Sequence, residues 1–273
     1  VILGGFGMDY YWVHVCCQDK PLRYSDFNIG DKLRNNADAL KERKEWLGTT
    51  KERLNRMIAE DCDGIITGLY EYWACYYPNF PRKTTFIPFP IRSYAHTADI
   101  SYAIPQKIKL FIGINKLRSE YKGTDIMLKA AQAIAEKYPE KVELRVAESL
   151  PFKQYVEMMN GSDAILDQLY SYTPSMNPLE AMARGIICIG GGEPENYEII
   201  HETQLKPILN VLPTYESVYQ QLEQLVLHPE RIPQLKKESI EYINKHHDYM
   251  KVAKKYEEYY KDTLCCQSEE TRL

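Results

Sequence analysis

The sequence predicts an α/β fold with parallel sheets. Three observations support this prediction. From residue 106 onward, short apolar runs alternate with amphipathic helical segments, and the first ninety residues, although different in pattern, look like the back half of a second α/β domain. The chain is also large enough, at 273 residues with 44% hydrophobic, to bury the cores that such sheets need. Alternation of this kind is typical of βαβ units, in which ligands bind at the carboxyl ends of the strands.

The second part of the chain carries the clearest strand patterns. Five apolar runs are predicted as strands: IKLFIGI (108–114), VELRVA (142–147), AILDQL (164–169), IICIG (186–190) and PILNV (207–211). The segments between them have helical spacing, as in GTDIMLKAAQAIAEKY, where apolar side chains recur on one face. We therefore predict a Rossmann-like domain over residues 106–247.

The remaining segments complete a two-domain organisation. Residues 1–92 are predicted as a partial N-terminal α/β domain, with a charged helical middle over 29–60, and residues 93–105 as a linker in a proline-rich stretch. Residues 248–273 are predicted as a helix that returns to the N-terminal domain, with an apolar stripe of Tyr249, Val252, Ala253, Tyr256 and Tyr260. Because two complete Rossmann-like domains need roughly 300 to 400 residues, we expect the N-terminal one to be incomplete and the chain to begin inside a longer protein.

Composition excludes several classes of function. The net charge of −4 argues against nonspecific nucleic-acid binding, which requires a basic surface. Seven cysteines without a CxxC or Cys/His spacing predict reduced thiols and no metal site. No apolar run is long enough to span a bilayer, and the N-terminus lacks the pattern of a signal peptide, so the expected location is the cytoplasm.

A basic segment follows the first strand of the second domain. In FIGINKLRSEYKG, the side chains of Lys116, Arg118 and Lys122 lie between a strand and the start of a helix. Cations beside a helix N-terminus suit an anion such as a diphosphate. A solvated basic loop is the alternative interpretation, and the segment alone does not decide between them.

The stretch YSYTPSMNPLEAMARG (170–185) contains a helix-start signal. Asn177 as the N-cap, Pro178 as the first helical residue and Glu180 at the third position would form a capping box. A carboxylate at this edge of a sheet could also accept hydrogen bonds from a ribose diol. Both roles are compatible with the pattern.

Three consecutive glycines, 190–192, follow the fourth predicted strand. Glu193 and Pro194 come next, so the run does not match the dinucleotide fingerprint G-x-G-x-x-G, and we exclude an NAD site. Either a tight turn or the close approach of a ligand would explain these glycines.

The order of these motifs resembles that in the retaining GT-B glycosyltransferases of group 1 (family 4-like). The resemblance rests on a strand ending near Gly113, a basic loop that closes with Lys-Gly, a strand ending near SLP, the helix LEAMARG and a glycine-rich loop. It covers roughly residues 106–262, the nucleotide-sugar-binding half of such enzymes, with a weaker similarity over 1–92. It implies two Rossmann-like domains and no cofactor other than the nucleotide diphosphate sugar, which is the donor substrate.

The resemblance also implies roles for individual residues in donor binding. Arg118 and Lys122 would act in catalysis by holding the donor diphosphate, and Glu180 would bind the ribose. The other implied donor contacts are Gly113, the backbone near Leu150 and Pro151, which would contact the base, and the amides of Asn177 and Leu179 near the phosphates.

One position departs from the family pattern. The family's Glu-x7-Glu motif would need a Glu at 172, where this chain has Tyr172. We expect the hydroxyls of Tyr172, Thr173 and Ser175 to meet the donor sugar instead. In the first domain, HVCCQD is similar to a His-x-x-Gly-x-Asp loop that faces the acceptor, which would give roles to His14 and Asp19.

The resulting hypothesis is a metal-independent, hexosyltransferase-like enzyme of polysaccharide or glycoconjugate synthesis. It would transfer a sugar from a nucleotide sugar to a carbohydrate or lipid-linked acceptor with retention. A lipid-linked acceptor would allow peripheral association with the inner face of a membrane. The alternatives are a catalytically inactive GT-B-scaffold binding or partner protein, for which Tyr172 is the motive, and a GT-B nucleotide-sugar epimerase.

Overall fold

The computed structural model describes residues 1–92 and 100–270, the side chains of 264–270 excepted. The chain divides into two compact units. Unit 1 comprises Val1–Pro90 and His246–Leu273, and unit 2 comprises Ile91–Lys245. Most of the predicted linker, residues 93–99, lies outside the described residues.

Unit 1 is built around a three-stranded parallel sheet. The strand order is β1-β4-β5, and the isoleucines at 65 and 66 in the central strand are buried. The elements in chain order are β1 (Ile2–Gly5), α1 (Tyr10–Cys17), β2 (Asn28–Ile29), β3 (Lys32–Leu33), α2 (Ala37–Trp46), α3 (Thr50–Asp61), β4 (Gly64–Thr67), α4 (Tyr70–Tyr76) and β5 (Thr84–Phe86).

The predicted helical middle over residues 29–60 is wrong at its start. Strands β2 and β3 form a short antiparallel hairpin, and helix α2 begins only at Ala37. Gly30 makes the turn with a φ of +56°, a conformation that glycine adopts without steric cost. Asn36 then caps helix α2 by accepting a hydrogen bond from the amide of Ala39.

Unit 2 contains a five-stranded sheet in which every pairing is parallel. Its elements are β6 (Ile108–Ile114), a 3₁₀ turn (Lys116–Arg118), α5 (Ser119–Lys122), α6 (Thr124–Lys137), β7 (Val142–Glu148), α7 (Phe152–Met159), β8 (Ala164–Leu166), α8 (Met176–Met182), β9 (Ile187–Gly190), α9 (Pro194–Ile199), β10 (Leu209–Asn210), α10 (Tyr215–Leu227), a second 3₁₀ turn (Pro229–Arg231) and α11 (Ile232–Tyr242).

The strand order β10-β9-β8-β6-β7 contains a reversal of direction. The chain adds β7 on one side of β6 and then crosses to add β8 on the other side. This reversal places a topological switch point between β6 and β8, where the loops at the carboxyl ends diverge and leave a crevice. The observed parallel sheets confirm the predicted fold class.

The strand bounds agree with the sequence most closely at β6, whereas β10 (Leu209–Asn210) is shorter than the predicted run 207–211. Strand β6 has the predicted bounds, and Leu110, Phe111 and Ile112 are fully buried within it. The run AILDQL is wrong in length, because strand β8 ends at Leu166 and the next residue, Asp167, begins a loop.

A buried ion pair connects the amino-terminal edge of this sheet to helix α11. The ammonium of Lys236 lies 2.6 Å from Asp163 Oδ1, and the other oxygen of Asp163 accepts a hydrogen bond from the amide of Lys109 at 2.8 Å. A cleft of about 800 Å³ lies at this edge, and both partners of the ion pair line it. The pair therefore joins β6, β8 and α11 on the side of the sheet opposite the switch point.

The last helix, α12 (Tyr249–Glu270), follows a π-helical turn, Ile243–His247. The chain belongs to unit 1 from His246 onward, so the whole of this helix is part of unit 1. Val252 is buried with Ile66 and Ile87. Tyr249, Ala253 and Tyr260 are exposed, so these three positions of the predicted apolar stripe do not face a core. The helix therefore uses a narrower face than the sequence predicted.

Five cysteines, at positions 16, 17, 62, 75 and 188, are free and buried. The sulfurs of Cys16 and Cys75 lie 3.8 Å apart within unit 1. Across residues 1–92 and 100–270, no helix is both long and apolar enough to cross a membrane.

Candidate functional site

Two loops meet at the switch point of unit 2. The first follows β6 and contains the 3₁₀ turn and helix α5, and the second, residues 167–175, connects β8 to α8. A hydrogen bond of 2.9 Å from the amide of Leu169 to the carbonyl of Lys122 joins the two loops. The candidate site is therefore built from both sides of the crevice.

The basic side chains of the first loop have different surroundings. Lys116 is exposed and pairs with Glu148, at the end of β7, over 2.6 Å. The guanidinium of Arg118 lies 4.7 Å from the centre of the Tyr121 ring. Arg118 and Lys122 are both half-buried, whereas Lys116 points to solvent. This difference favours Arg118 and Lys122 over Lys116 as ligands for an anion.

Gly123 explains why the basic loop closes with Lys-Gly. Its φ is +74°, and it ends helix α5 with its amide bonded to the carbonyl of Ser119. A Cβ atom here would lie 2.9 Å from the Cβ of Leu169. Glycine is thus required both for the left-handed conformation and for the close packing of the two loops.

Asp167, at the carboxyl end of β8, is a candidate that the sequence reasoning missed. Its carboxylate accepts a hydrogen bond from Ser175 Oγ at 3.2 Å. Burial raises the pKa of Asp167, and the ammonium of Lys122 and the bond from Ser175 partly oppose that rise. The signal was a single carboxylate inside the apolar run AILDQL, which the strand prediction absorbed.

Helix α8 begins two residues earlier than the sequence predicted. Its N-cap is Ser175, Asn177 is exposed inside the first turn, and no side chain caps the helix. The predicted capping box is therefore wrong. The amide of Leu179 donates to the carbonyl of Ser175 at 3.1 Å, so it serves the helix rather than a phosphate.

Glu180 pairs along helix α8 instead of capping it. Its Oε1 accepts hydrogen bonds from Arg184 Nη2 at 2.6 Å and from Nε at 3.2 Å. This is the i, i+4 geometry of a helical ion pair. Both bonds use the same carboxylate oxygen, Oε1.

The hydroxyl-bearing residues of the second loop are largely buried. Tyr172 is only 1% exposed and Thr173 is also buried, whereas Ser175 is partly exposed. The carbonyl of Tyr172 accepts a hydrogen bond from the amide of Glu193 at 3.2 Å, and Ser171 Oγ donates to the carbonyl of Thr173 at 2.6 Å. The expectation that the hydroxyls of Tyr172 and Thr173 meet a donor sugar does not fit these buried positions.

The glycine run after β9 makes room for this same loop. A Cβ atom on Gly191 would lie 2.7 Å from the carbonyl carbon of Ser171 and closer still to its oxygen. A Cβ atom on Gly192 would lie 2.7 Å from Ile208. The sequence left a tight turn or a ligand as explanations, and the structure shows a third: Gly191 and Gly192 allow close packing of the chain against itself.

The loop after β7 presents an apolar surface beside the switch point. Leu150 and Pro151 are exposed, and Phe152 is 71% exposed. The ring of Tyr155 lies over Gly113, since a Cβ there would be 3.0 Å from Cζ of that ring. Gly113 therefore contacts a side chain of helix α7, while the three exposed residues remain accessible to a ligand.

Solved structures resemble this architecture. TarM from S. aureus, as a mutant in complex with fondaparinux, α-GlcNAc-glycerol and UDP, matches at 11% identity with a TM-score of 0.58, covering 78% of this chain and 46% of TarM. HepE from Anabaena, in complex with UDP and glucose, matches at 11% identity with a TM-score of 0.59, covering 80% of this chain and 68% of HepE. These proteins are glycosyltransferases that share the GT-B architecture. The chain has the GT-B fold.

A third structure supports the same fold. Sucrose-phosphate synthase from Thermosynechococcus elongatus matches at 15% identity with a TM-score of 0.57, covering 80% of this chain and 62% of that protein. The chain thus spans from about half to about two thirds of the length of these GT-B structures. Neither a family model nor a curated protein sequence matches it.

In unit 1 of this GT-B fold, His14 and Asp19 line a cleft of about 500 Å³. Glu60 and Asn79 line the same cleft, and they come before β4 and β5, whereas Asp19 comes after α1. The cleft therefore lies at the amino-terminal edge of the sheet. Ligands of parallel α/β sheets bind at the opposite edge, so the predicted acceptor-side roles of His14 and Asp19 do not fit their positions.

Metal-ligating side chains do not converge in the described part of this GT-B chain. No group of three or more His, Cys, Asp or Glu residues that could hold an ion occurs there. Two carboxylates in an Asp-x-Asp spacing occur at Asp61-Cys62-Asp63. This triplet joins the end of α3 to the start of β4, at the amino-terminal edge of the unit 1 sheet. It is thus distant in topology from the edge where ligands of such sheets bind.

Proposed function

We propose that this chain is a glycosyltransferase that moves a sugar from a nucleotide diphosphate donor to an acceptor hydroxyl. The observation that supports this most directly is the position of Lys122 and Arg118, two half-buried cations beside the switch point of a GT-B domain. The structures of TarM and HepE, which share the fold, were determined with UDP. A donor diphosphate is the anion that would use these cations here.

The proposed reaction requires that the site stabilise a leaving diphosphate. Transfer breaks the bond between the sugar's anomeric carbon and the diphosphate oxygen, so negative charge grows on that oxygen. Lys122 and Arg118 would stabilise this charge. The carbonyl of Lys122 accepts a hydrogen bond from the amide of Leu169, and the guanidinium of Arg118 lies over the Tyr121 ring. Fixed cations of this kind lower the barrier without reorganisation during the reaction.

The rest of the donor would lie along the same edge. Leu150, Pro151 and Phe152 offer an exposed surface on which a base could rest. Glu180 would accept hydrogen bonds from the ribose through the carboxylate oxygen that Arg184 does not use. The amide of Asn177 would complete the phosphate contacts at the start of helix α8.

The finer parts of the proposal follow from the GT-B resemblance of the sequence. They are retention at the anomeric carbon, hexosyl transfer without a metal, and a carbohydrate or lipid-linked acceptor in polysaccharide or glycoconjugate synthesis. We also propose that the protein works in the cytoplasm, and at the inner face of a membrane if the acceptor is lipid-linked. Each part is separately testable once a donor is known.

Calorimetry with UDP-glucose tests the donor site. The wild-type chain should bind UDP-glucose equally with magnesium and with a chelator. Lys122→Ala should weaken binding by about 1.5–3 kcal/mol, since it removes a charged partner of the diphosphate. Lys116→Ala is the matched control, because it removes the same charge from the same loop at an exposed residue paired with Glu148.

Two results would contradict the donor site. One is the absence of binding for UDP-glucose, GDP-mannose and the free diphosphates alike. The other is an equal loss of affinity in Lys116→Ala and Lys122→Ala, which would indicate a general charge effect. With a donor identified, proton NMR of the product's anomeric signal then decides between retention and inversion.

Tyr172 favours a second candidate, a binding or partner protein on the GT-B scaffold that does not catalyse transfer. The family pattern places a carboxylate at this position, and here it is a buried tyrosine. This candidate predicts nucleotide-sugar binding with neither transfer nor hydrolysis of the donor. Product formation in the wild-type chain, lost in Lys122→Ala, would exclude it.

A further inference from the structure

The cleft of about 800 Å³ at the amino-terminal edge of the unit 2 sheet has no part in the proposed donor site. It is lined by residues of 100–109, before and at the start of β6, by the turns 160–163 and 184–186, and by Lys236 of α11. We call it the amino-edge cleft. Its volume is typical of small-molecule sites. Substrates of parallel α/β sheets bind at the opposite edge, so a ligand here would be a second one, separate from the donor.

Positive charge exceeds negative charge in the lining of the amino-edge cleft. Among the described residues, the charged side chains that line it are four cations and one carboxylate: Lys107, Lys109, Arg184, Lys236 and Asp163. Two of the cations are already neutralised. Lys236 pairs with Asp163 at 2.6 Å, and Arg184 pairs with Glu180, also at 2.6 Å. The excess charge therefore comes from the two lysines at the start of β6.

The ammonium groups of Lys107 and Lys109 make no hydrogen bond or ion pair within the described part of the chain. Glu143 is a carboxylate in their neighbourhood. The hydrogen bond from Arg145 Nε, at 2.6 Å, lowers the pKa of Glu143, and the charges of Lys109 and Lys107 add to that effect. Because Glu143 already has Arg145 as its cation, both lysines remain available to an anion in the cleft.

Two buried polar groups in the lining also keep unused hydrogen-bonding capacity. The Lys236 ammonium has three N–H donors, of which one binds Asp163 Oδ1 at 2.6 Å and one the carbonyl of Ser101 at 3.4 Å. Its side chain is only 8% exposed. Ser162 is 2% exposed, and its hydroxyl has no partner among the residues that the structure describes. An acceptor atom in the cleft would therefore satisfy donors that are costly to leave unpaired.

Helices α7 and α8 end at this edge, and the negative ends of their dipoles oppose an anion. Each end amounts to about half a charge, so the two together offset about one of the two positive charges of Lys107 and Lys109. The carbonyl of Asn160, after α7, accepts a hydrogen bond from Arg145 Nη1 at 3.3 Å. The carbonyl of Ala181 in α8 accepts the amide of Ile186 at 3.0 Å. The cleft thus stays positive after the helix ends are counted.

We propose that the amino-edge cleft is a second anion site, which binds the phosphate monoester of a small organic molecule. A phosphate monoester carries about −1.5 to −2 charges at pH 7 and three acceptor oxygens, enough for Lys107, Lys109 and the free N–H of Lys236. A carboxylate has one charge and two oxygens. The carbon skeleton of the ligand would lie against Ile186 and Pro105, which also line the cleft. This inference does not depend on the proposed donor site.

The experiment is calorimetry of the full chain with glycerol 3-phosphate. The wild type should bind it, and Lys107→Gln and Lys109→Gln should each weaken binding by about tenfold, since each removes a charge-assisted contact. Lys153→Gln is the matched control, because Lys153 is exposed in the first turn of α7 and does not line the cleft. Its affinity should equal that of the wild type. Circular dichroism of each variant establishes that it is folded.

A second measurement needs no variant. Acetylation of lysines by an amine reagent, read by mass spectrometry, should become slower at Lys107 and Lys109 when glycerol 3-phosphate is present and should not change at Lys153. A lipid headgroup with the same chemistry is tested by sedimentation with vesicles of phosphatidylcholine that contain phosphatidic acid. Either source of phosphate supports the site only if Lys109→Gln weakens its binding.

The outcomes distinguish this site from the donor crevice. Lys122→Ala should bind glycerol 3-phosphate as tightly as the wild type, because Lys122 lies at the opposite edge of the sheet. A loss in Lys122→Ala with unchanged binding in Lys109→Gln would place the anion in the donor crevice and overturn the inference. Absence of binding, or equal affinity in the wild type, Lys107→Gln and Lys109→Gln, would overturn it too. Each of these results leaves the binding of UDP-glucose as a separate question.

Discussion

Replacing Gly191 with alanine should destabilise unit 2 selectively. The added Cβ would lie 2.7 Å from the carbonyl carbon and 2.9 Å from Oγ of Ser171. Ordinary carbon contacts are about 3.5–4.0 Å, so the overlap is roughly 1 Å. Because part of the obstruction is backbone, a side-chain rotation does not relieve it. We expect a loss of about 1–3 kcal/mol in the free energy of unfolding, as for other overpacked sites.

The chain offers an internal reference for the assay. All three tryptophans, at positions 12, 46 and 73, belong to unit 1. Urea unfolding of Gly191→Ala should therefore shift the part of the circular dichroism transition that comes from unit 2, while tryptophan fluorescence reports an unchanged unit 1. The overlap should displace the loop 167–175, which contains Ser171 and also Asp167 and Ser175. The variant should therefore bind UDP-glucose more weakly.

Gly7→Ala is the matched control for this substitution. A Cβ atom on Gly7 would meet nothing within 4 Å, and its φ is not positive. Its unfolding free energy should stay within about 1 kcal/mol of the wild type, with any gain coming from a less flexible unfolded chain. Equal stability of Gly191→Ala and the wild type would refute the close packing of the two loops.

Three further predictions concern stability. Burial lowers the pKa of His247 to about 4. The stability that its neutral form contributes is therefore present above about pH 6.5 and is lost as pH falls toward 4. Urea titrations should show the wild type losing about 3 kcal/mol of unfolding free energy relative to His247→Gln over that range. The comparison with a variant is needed because burial raises the pKa of Asp9 to about 6, and its contribution changes in the opposite direction. Lys236→Met should cost about 3–5 kcal/mol by leaving Asp163 buried without its cation, and adding Asp163→Asn should recover part of that loss in chemical denaturation. Val252→Ala should cost about 1–3 kcal/mol in the tryptophan-detected transition, since it opens a cavity in the unit 1 core, and an unchanged midpoint would contradict that packing.

The sequence predicted the fold where the signal is local. The apolar run of β6 defines that strand by itself, and its bounds were predicted correctly. The order of strands and helices in unit 2 followed from the same kind of pattern, and so did the parallel sheet. These features depend on side chains within a few residues of each other, which a single sequence displays directly.

The errors arose where distant residues decide the local structure. Asn177 has a side chain that suits an N-cap. The N-cap is nevertheless Ser175, whose hydroxyl donates to Asp167. Tyr172 was expected at the ligand edge, but its side chain is buried and its carbonyl accepts a hydrogen bond from the amide of Glu193. A glycine is needed at position 191 because of Ser171, twenty positions earlier, which an added Cβ would overlap. None of these contacts leaves a periodic pattern in the sequence.

The buried thiols make each unit its own reporter of local opening. Unit 1 holds Cys16, Cys17, Cys62 and Cys75, and unit 2 holds Cys188. A thiol reagent can modify these side chains only when the surrounding structure opens, so the rate of modification at each position measures the free energy of that opening. Mass spectrometry of the modified peptides would therefore read the stability of the two units separately, in one native sample. A donor that binds unit 2 should slow the modification of Cys188 and leave the other four unchanged.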